Sequence, residues 1–171
     1  MSNPYTTPEH RKKVYHEAGH AVVGFLSGGT LKYIVTNPAN GGDYCACVSF
    51  DSLATVPERL TSKATTLMAG SLGDWIGTGN EGKPDWFEDK PFTWDGAIGD
   101  YKELRQTVLD SFDNDQQLWI DSLADRGKDQ AWELLNTNRA AVIALAEALM
   151  PNNRMEGQDA IDIIKRHVVL S

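Results

Sequence analysis

The sequence has no excess of basic residues, no long apolar run and almost no cysteine, and each lack excludes something. Sixteen lysines and arginines stand against 24 aspartates and glutamates, a formal charge of −8, with an isoelectric point near 4.9. Binding to a nucleic-acid duplex needs a basic face to neutralise phosphates, so nucleic acid is not an expected partner. A polybasic membrane-surface segment is excluded on the same ground. The best apolar stretch, residues 140–150, carries Glu147 and falls short of the roughly 20 residues that cross a bilayer, so membrane insertion is not expected. The opening MSNPYTTPEHRKK lacks the apolar core of a secretory signal, which gives the expectation of a cytoplasmic protein. Cys45 and Cys47 are the sole cysteines; two thiols two residues apart on a strand make no disulfide framework.

What is present is ordinary globular material, 41% apolar and 23% charged, with no internal repeat, low-complexity tract or domain-scale linker. The expectation is one domain over residues 1–171, mostly α with a small β-hairpin or sheet. Thr7, Pro8 and Glu9 are the cap, first position and first-turn acid of a helix. Val14, Ala18, Ala21, Val22 and Phe25 continue it at helical spacing, and Gly28-Gly29 ends it. Strands are expected at 31–35 and 44–50, split by the turn-forming Asn37-Pro38-Ala39-Asn40-Gly41-Gly42. Helical patterning returns over 55–76, from near Asp100 through Leu104 and Val108, over about 114–123 and 130–150, and over 157–169. Between them, residues 77–99 form a long loop carrying Trp86, Phe87, Phe92 and Trp94, whose simplest role is to pin the loop to the domain.

The chemistry concentrates in His16-Glu17-Ala18-Gly19-His20, a zincin-type H-E-x-x-H motif within the first helix. Residues four apart lie about 40° apart around a helix, so both imidazoles leave one face and can converge on one metal ion. Glu17 lies about 100° from His16, within reach of a water at such an ion without being a ligand. Zinc lowers the pKa of a water and polarises a carbonyl, and Glu17 is then the base, and later the acid, of amide hydrolysis. A third protein ligand must come from elsewhere. The metzincin extension is excluded, because Val23 and Leu26 stand where its glycine and histidine belong. His10 lies about 120° off the metal face, and His167 belongs to a basic last helix with the marks of a surface residue. The acidic residues leave the third ligand open at this level.

Tyr15-His16-Glu17-Ala18-Gly19-His20-Ala21 resembles the peptidase domain of the FtsH family of AAA zinc metalloproteases, whose signature is H-E-A-G-H-A. In that family an aspartate closing a G-A-x-x-D segment is the third ligand. Gly96-Ala97-Ile98-Gly99-Asp100 matches it, so the resemblance implies Asp100 as ligand beside His16 and His20, with Asp95 the main rival and Asp74 a weaker one. Leu67 to Asp74, 134–149 and Met155-Glu156-Gly157-Gln158 with Ile163-Ile164 are similar to further parts of that domain. The likeness thus runs over about residues 8–168. It implies Zn2+ as cofactor, Glu17 as catalytic residue, and a substrate strand near the metal, here Tyr44, Cys45, Ala46, Cys47 and Val48. An edge strand gives an extended peptide backbone pairing and alternate pockets; the competing reading is an ordinary core hairpin. Cys45 and Cys47 share a strand face and are expected to be partly buried reduced thiols, with a second metal site the lesser alternative.

The departures bear on function. The family joins this domain to membrane helices and to an ATPase with a G-x-x-x-x-G-K-[ST] loop, and these 171 residues contain neither. The aromatic loop before Gly96 is longer than the family's connection. The expected function is therefore ATP-independent hydrolysis of peptide bonds in unfolded or small peptide substrates. The alternatives are a zinc-bound, non-proteolytic interaction module and a zinc hydrolase of a non-peptide amide. Homo-oligomerisation and a separate ATPase partner stay open.

Overall fold

The computed structural model describes residues 3–39, 43–90, 93–94, 96–112 and 117–169. Helix α1, Pro8–Leu26, starts where its caps require: Thr7 Oγ1 accepts from the amide of His10 at 3.1 Å. Glu9 pairs with Lys13 one turn on, at 3.0 Å. Helix α2, Val56–Gly77, opens with a reciprocal box in which Thr55 caps the Glu58 amide and Glu58 returns to the Thr55 amide. Both helices have buried, small-residue flanks, and they pack closely. A Cβ on Gly19 would lie 2.5 Å from the carbonyl oxygen of Ala69 on α2, so a side chain there would force the helices apart. This approach brings Val14, Ala18 and Val22 into one core with Met68, Leu72 and Ile76. Burying that apolar surface drives assembly at roughly 25 cal/mol per Å².

Strands β1, Thr30–Thr36, and β2, Tyr44–Ser49, pair antiparallel, with Thr36 opposite Tyr44 and Ile34 opposite Ala46. A third strand, β3, Arg154–Glu156, pairs antiparallel on the other side of β1, giving the order β2-β1-β3. β2 is thus an edge strand and lies against α1. The expected turn at Asn40-Gly41-Gly42 lies outside the described residues. β3 has no signature of its own, because three residues become a strand only when β1 offers a partner.

Helices α3, Ala97–Ser111, α4, Gln117–Thr137, α5, Arg139–Leu149, and α6, Gly157–His167, complete a mostly helical fold with a small antiparallel sheet. α3 starts three residues before the expected Asp100, which places that residue in its first turn. The expected pair of helices at 114–123 and 130–150 is corrected. One helix runs unbroken through 124–129, and the break falls at Asn138. Gly127 resembles a helix breaker in sequence, yet here it lets α4 approach the backbone of Ala64 and Thr65 on α2. Asn138 divides the helices with its side chain, donating to the Leu134 carbonyl and accepting from the Val169 amide. Residues 114–116 of the expected helix are outside the described set, as is Phe92 of the aromatic loop. Phe87 and Trp94 are buried in the core and stack with centroids 6.1 Å apart. Lys128 from α4 donates to the Phe87 carbonyl at 3.1 Å. Among the described residues, no helix is long and apolar enough to cross a membrane.

Candidate metal centre

Three elements meet at the H-E-x-x-H motif. α1 presents His16, Glu17 and His20, α3 brings Asp100, and α2 passes behind the imidazoles. His16 Nε2 lies 3.3 Å from Asp100 Oδ2, and His20 Nε2 lies 3.5 Å from Asp100 Oδ1. Donor atoms of all three residues lie within 4.8 Å of one another. Ligands about 2.0–2.2 Å from a tetrahedral zinc stand about 3.3–3.5 Å apart, so these separations suit a shared ion.

The surrounding hydrogen bonds decide which ring nitrogens face inward. His20 Nδ1 is 2.7 Å from the Thr66 carbonyl oxygen, which can only accept, so Nδ1 carries the proton and the lone pair of the neutral ring sits on Nε2. His16 Nδ1 is 3.3 Å from Asp74 Oδ2, an arrangement with the same consequence. Both rings are thereby aimed by partners behind them, the arrangement that metal-ligating histidines have. Asp100 Oδ2 is buried and accepts no aligned hydrogen bond, although His16 Nε2 stands beside it. Donor atoms that converge on a common point instead of satisfying one another fit a cation between them. Gly70 on α2 completes the cradle: a Cβ there would collide with His16 Nε2 and lie 2.7 Å from His20 Cε1.

The electrostatics agree. Burial alone would push His16 down, but the carboxylates of Asp100 and Asp74 outweigh it and raise the imidazole to about 10. His20 is likewise raised by Asp100 against the effect of burial. Burial pushes Asp100 up, yet the two histidines hold it well below the usual carboxylate range. Glu17 is buried beside the histidines, and burial raises its pKa despite the opposing pull of His20 and His16. The Ala46 backbone nearby also opposes that rise.

Tyr44, Cys45, Ala46, Cys47 and Val48 line a cavity of about 310 Å³ together with His16, Glu17, His20 and Asp100. Cys45 is exposed, where a partly buried thiol was expected, and Cys47 is half-buried; both are free. Partial burial of the sulfur, with Glu17 and Cys47 close by, pushes the Cys45 thiol up although the residue as a whole is exposed. Neither joins a metal-ligating cluster among the described residues. Asp95 lies outside the described residues. Asp74 stands behind His16 on Nδ1, and Asp100 is the acidic residue grouped with the histidines. His167 is exposed, as expected, while His10 is buried.

Two contributions escaped sequence reasoning. One is the support behind the ligand rings, from Asp74 and the Thr66 carbonyl. The other is His10, whose Nε2 lies 2.9 Å from the Met150 carbonyl and whose Nδ1 lies 2.8 Å from Tyr44 Oη. Because the carbonyl must accept, Nε2 donates to it and Nδ1 accepts the tyrosine hydroxyl proton. His10 therefore fastens the start of β2 to α1. A histidine six residues before the motif, with no exposed role, was the available signal.

No family model matches the chain. It is similar to the ATP-dependent zinc metalloprotease FtsH of Lactococcus lactis subsp. lactis (strain IL1403). The two are 23% identical over 179 aligned residues, which cover 88% of this chain and 26% of that protein. The chain thus spans about a quarter of the length of the relative it matches. At this identity the likeness to FtsH is a distant one.

Proposed function

We propose that this chain is a zinc-dependent metallopeptidase that hydrolyses peptide bonds of unfolded or short polypeptides, residues 1–171 acting as one peptidase unit. The observation that carries the reading is the grouping of His16, His20 and Asp100 beside a buried Glu17 on an open strand edge. In it, His16, His20 and Asp100 would hold Zn2+. When bound, zinc supplies Lewis acidity toward a carbonyl and lowers the pKa of water.

The rest falls to the chain's own residues. The free edge of β2 binds an extended peptide through the backbone groups that face away from β1, giving affinity with little sequence demand. Tyr44, Cys45, Ala46, Cys47 and Val48 line the cleft in which that peptide would lie. Glu17 takes up a proton from water at its carboxylate and returns it to the departing amine nitrogen. Its raised pKa suits both halves of that exchange.

The test uses an unfolded casein-like substrate with and without a chelator, for the wild-type protein and for Glu17→Gln. Chelator-sensitive cleavage is expected in the wild type, with turnover reduced by about a hundredfold or more in the variant, at the scale of general acid–base catalysis. Zinc content should stay the same in both. Full activity in Glu17→Gln, or no chelator-sensitive cleavage across substrates, rejects the reading.

A further inference from the structure

A second, larger cavity of about 550 Å³ lies next to the centre, walled by Trp75 at the end of α2 and by Trp86 and Trp94 of the long aromatic loop. The indoles meet edge to face, Trp75 with Trp86 at 6.3 Å and Trp86 with Trp94 at 4.7 Å between centroids. Anchoring the loop accounts for Phe87 and Trp94, which are buried, but not for the partly exposed rings of Trp75 and Trp86 that open on this space.

The cavity continues toward the candidate metal centre. Lys12 and Asp74 line both it and an intervening cavity that also touches His16 and Glu17. Asp74 is the residue that backs His16. Along α1 the path runs from Glu17 back to Lys12 and Pro8, five to nine positions, or about 8–14 Å at the helical rise. An extended chain covers that distance in about two to four residues.

The lining selects the occupant. Lys12 and Arg11 are offset by Asp74 and Asp89, and the Arg11 guanidinium is held over the Tyr15 ring, donating to its hydroxyl at 3.2 Å. Neither sign dominates, so a neutral guest is favoured over an ion, and three indole walls favour an apolar one. Trp94 Nε1 and Asp74 Oδ1 are buried with no hydrogen-bond partner among the described residues. A peptide group carries both complements, a carbonyl for the indole and an N–H for the carboxylate.

We propose that the three-tryptophan cavity is a specificity subsite for a bulky aromatic or aliphatic side chain of the polypeptide, two to four residues from the bond to be cut. The subsite role rests on the peptidase reading; occupancy of the cavity does not, and the two are read separately. In the binding arm, Glu17→Gln protein is titrated with blocked Ala-Phe-Ala and Ala-Asp-Ala peptides while indole N–H signals are followed by NMR. Saturable shifts of the cavity indoles with the phenylalanine peptide alone are expected. Trp86→Ala should weaken binding at least tenfold, and Trp86→Phe should restore most of it. Should Trp86→Ala fail to fold, Thr93→Trp, which fills the cavity from its rim, is expected to give the same loss. No saturable shift, or equal shifts with both peptides, overturns the proposal. In the cleavage arm, sites cut in unfolded casein should be enriched in large apolar residues at one position two to four residues from the cut, and the enrichment should flatten in Trp86→Ala. A wild-type profile flat at those positions overturns the subsite role. No chelator-sensitive cleavage at all overturns the peptidase reading, a result distinct from failure of the indole shifts.

Discussion

Gly70→Ala probes the candidate centre from behind, without touching a proposed ligand. In an ordinary helix interior this change would stabilise by about 1 kcal/mol, because alanine is the better helix former. Here the new methyl would sit 2.7 Å from His20 Cε1 and still closer to His16 Nε2. Ordinary carbon–carbon contact begins about 3.5 Å apart, so the His20 ring must retreat by about 0.8 Å, or α2 must back away from α1. Metal–ligand distances tolerate about 0.2 Å, several times less than that retreat. Substitutions of groups that merely support a ligand cost about 10–100-fold in metal affinity. Displacing two ligand rings together should therefore cost about a hundredfold or more, or about 2.7 kcal/mol. The assay is zinc affinity by competition with a chromophoric chelator, paired with thermal melting of metal-free protein to confirm the fold. A folded Gly70→Ala protein that binds zinc as tightly as the wild type refutes the reasoning.

Three further outcomes follow from the same geometry. Asp74→Asn keeps an acceptor for His16 Nδ1 but removes the charge behind the ring, so zinc affinity should fall about 10–100-fold; an unchanged affinity denies Asp74 its supporting role, and complete loss would make it a ligand. Asp100→Ala should abolish zinc binding while Asp95→Ala preserves it, as read by metal content after dialysis; the reverse result moves the ligand to Asp95. His10→Ala leaves the Tyr44 hydroxyl and the Met150 carbonyl without their partner, at a cost of about 2–4 kcal/mol in denaturant unfolding. Chymotrypsin should then cut the freed start of β2 faster, and a variant as stable as the wild type would show that the tie carries nothing.

Legibility followed how local the cause was. Helix α1 is written in adjacent residues: the Thr7 cap, the proline at its first position and the apolar period need no knowledge of the rest of the chain. The facing pair His16 and His20 follows from helical pitch alone. Apolar spacing over 55–76 gave α2 in the same way, and the structure adds the capping box at Thr55 and Glu58. The division between α4 and α5 is misplaced by periodicity because its cause, the side chain of Asn138 bonding to Leu134 and to the distant Val169, leaves no mark on the apolar spacing. β3 was invisible because its partner lies more than 100 residues earlier in the chain.

What the sequence by itself determined, then, was the secondary structure with local causes, the orientation of two imidazoles, and, through its resemblance, the expectation of Asp100 as their acidic partner, ahead of Asp95 and Asp74. Only the tertiary structure shows that Asp100 meets both histidines while Asp74 stands behind His16. Asp74 and Asp100 differ in place because α2 passes on one side of His16 and α3 on the other, and no spacing along the chain encodes that. The same packing set Gly70 against the imidazoles and opened the tryptophan-walled space. Local structure answers to neighbouring residues, whereas a site is made where segments distant in sequence are pressed together by the burial of a shared core.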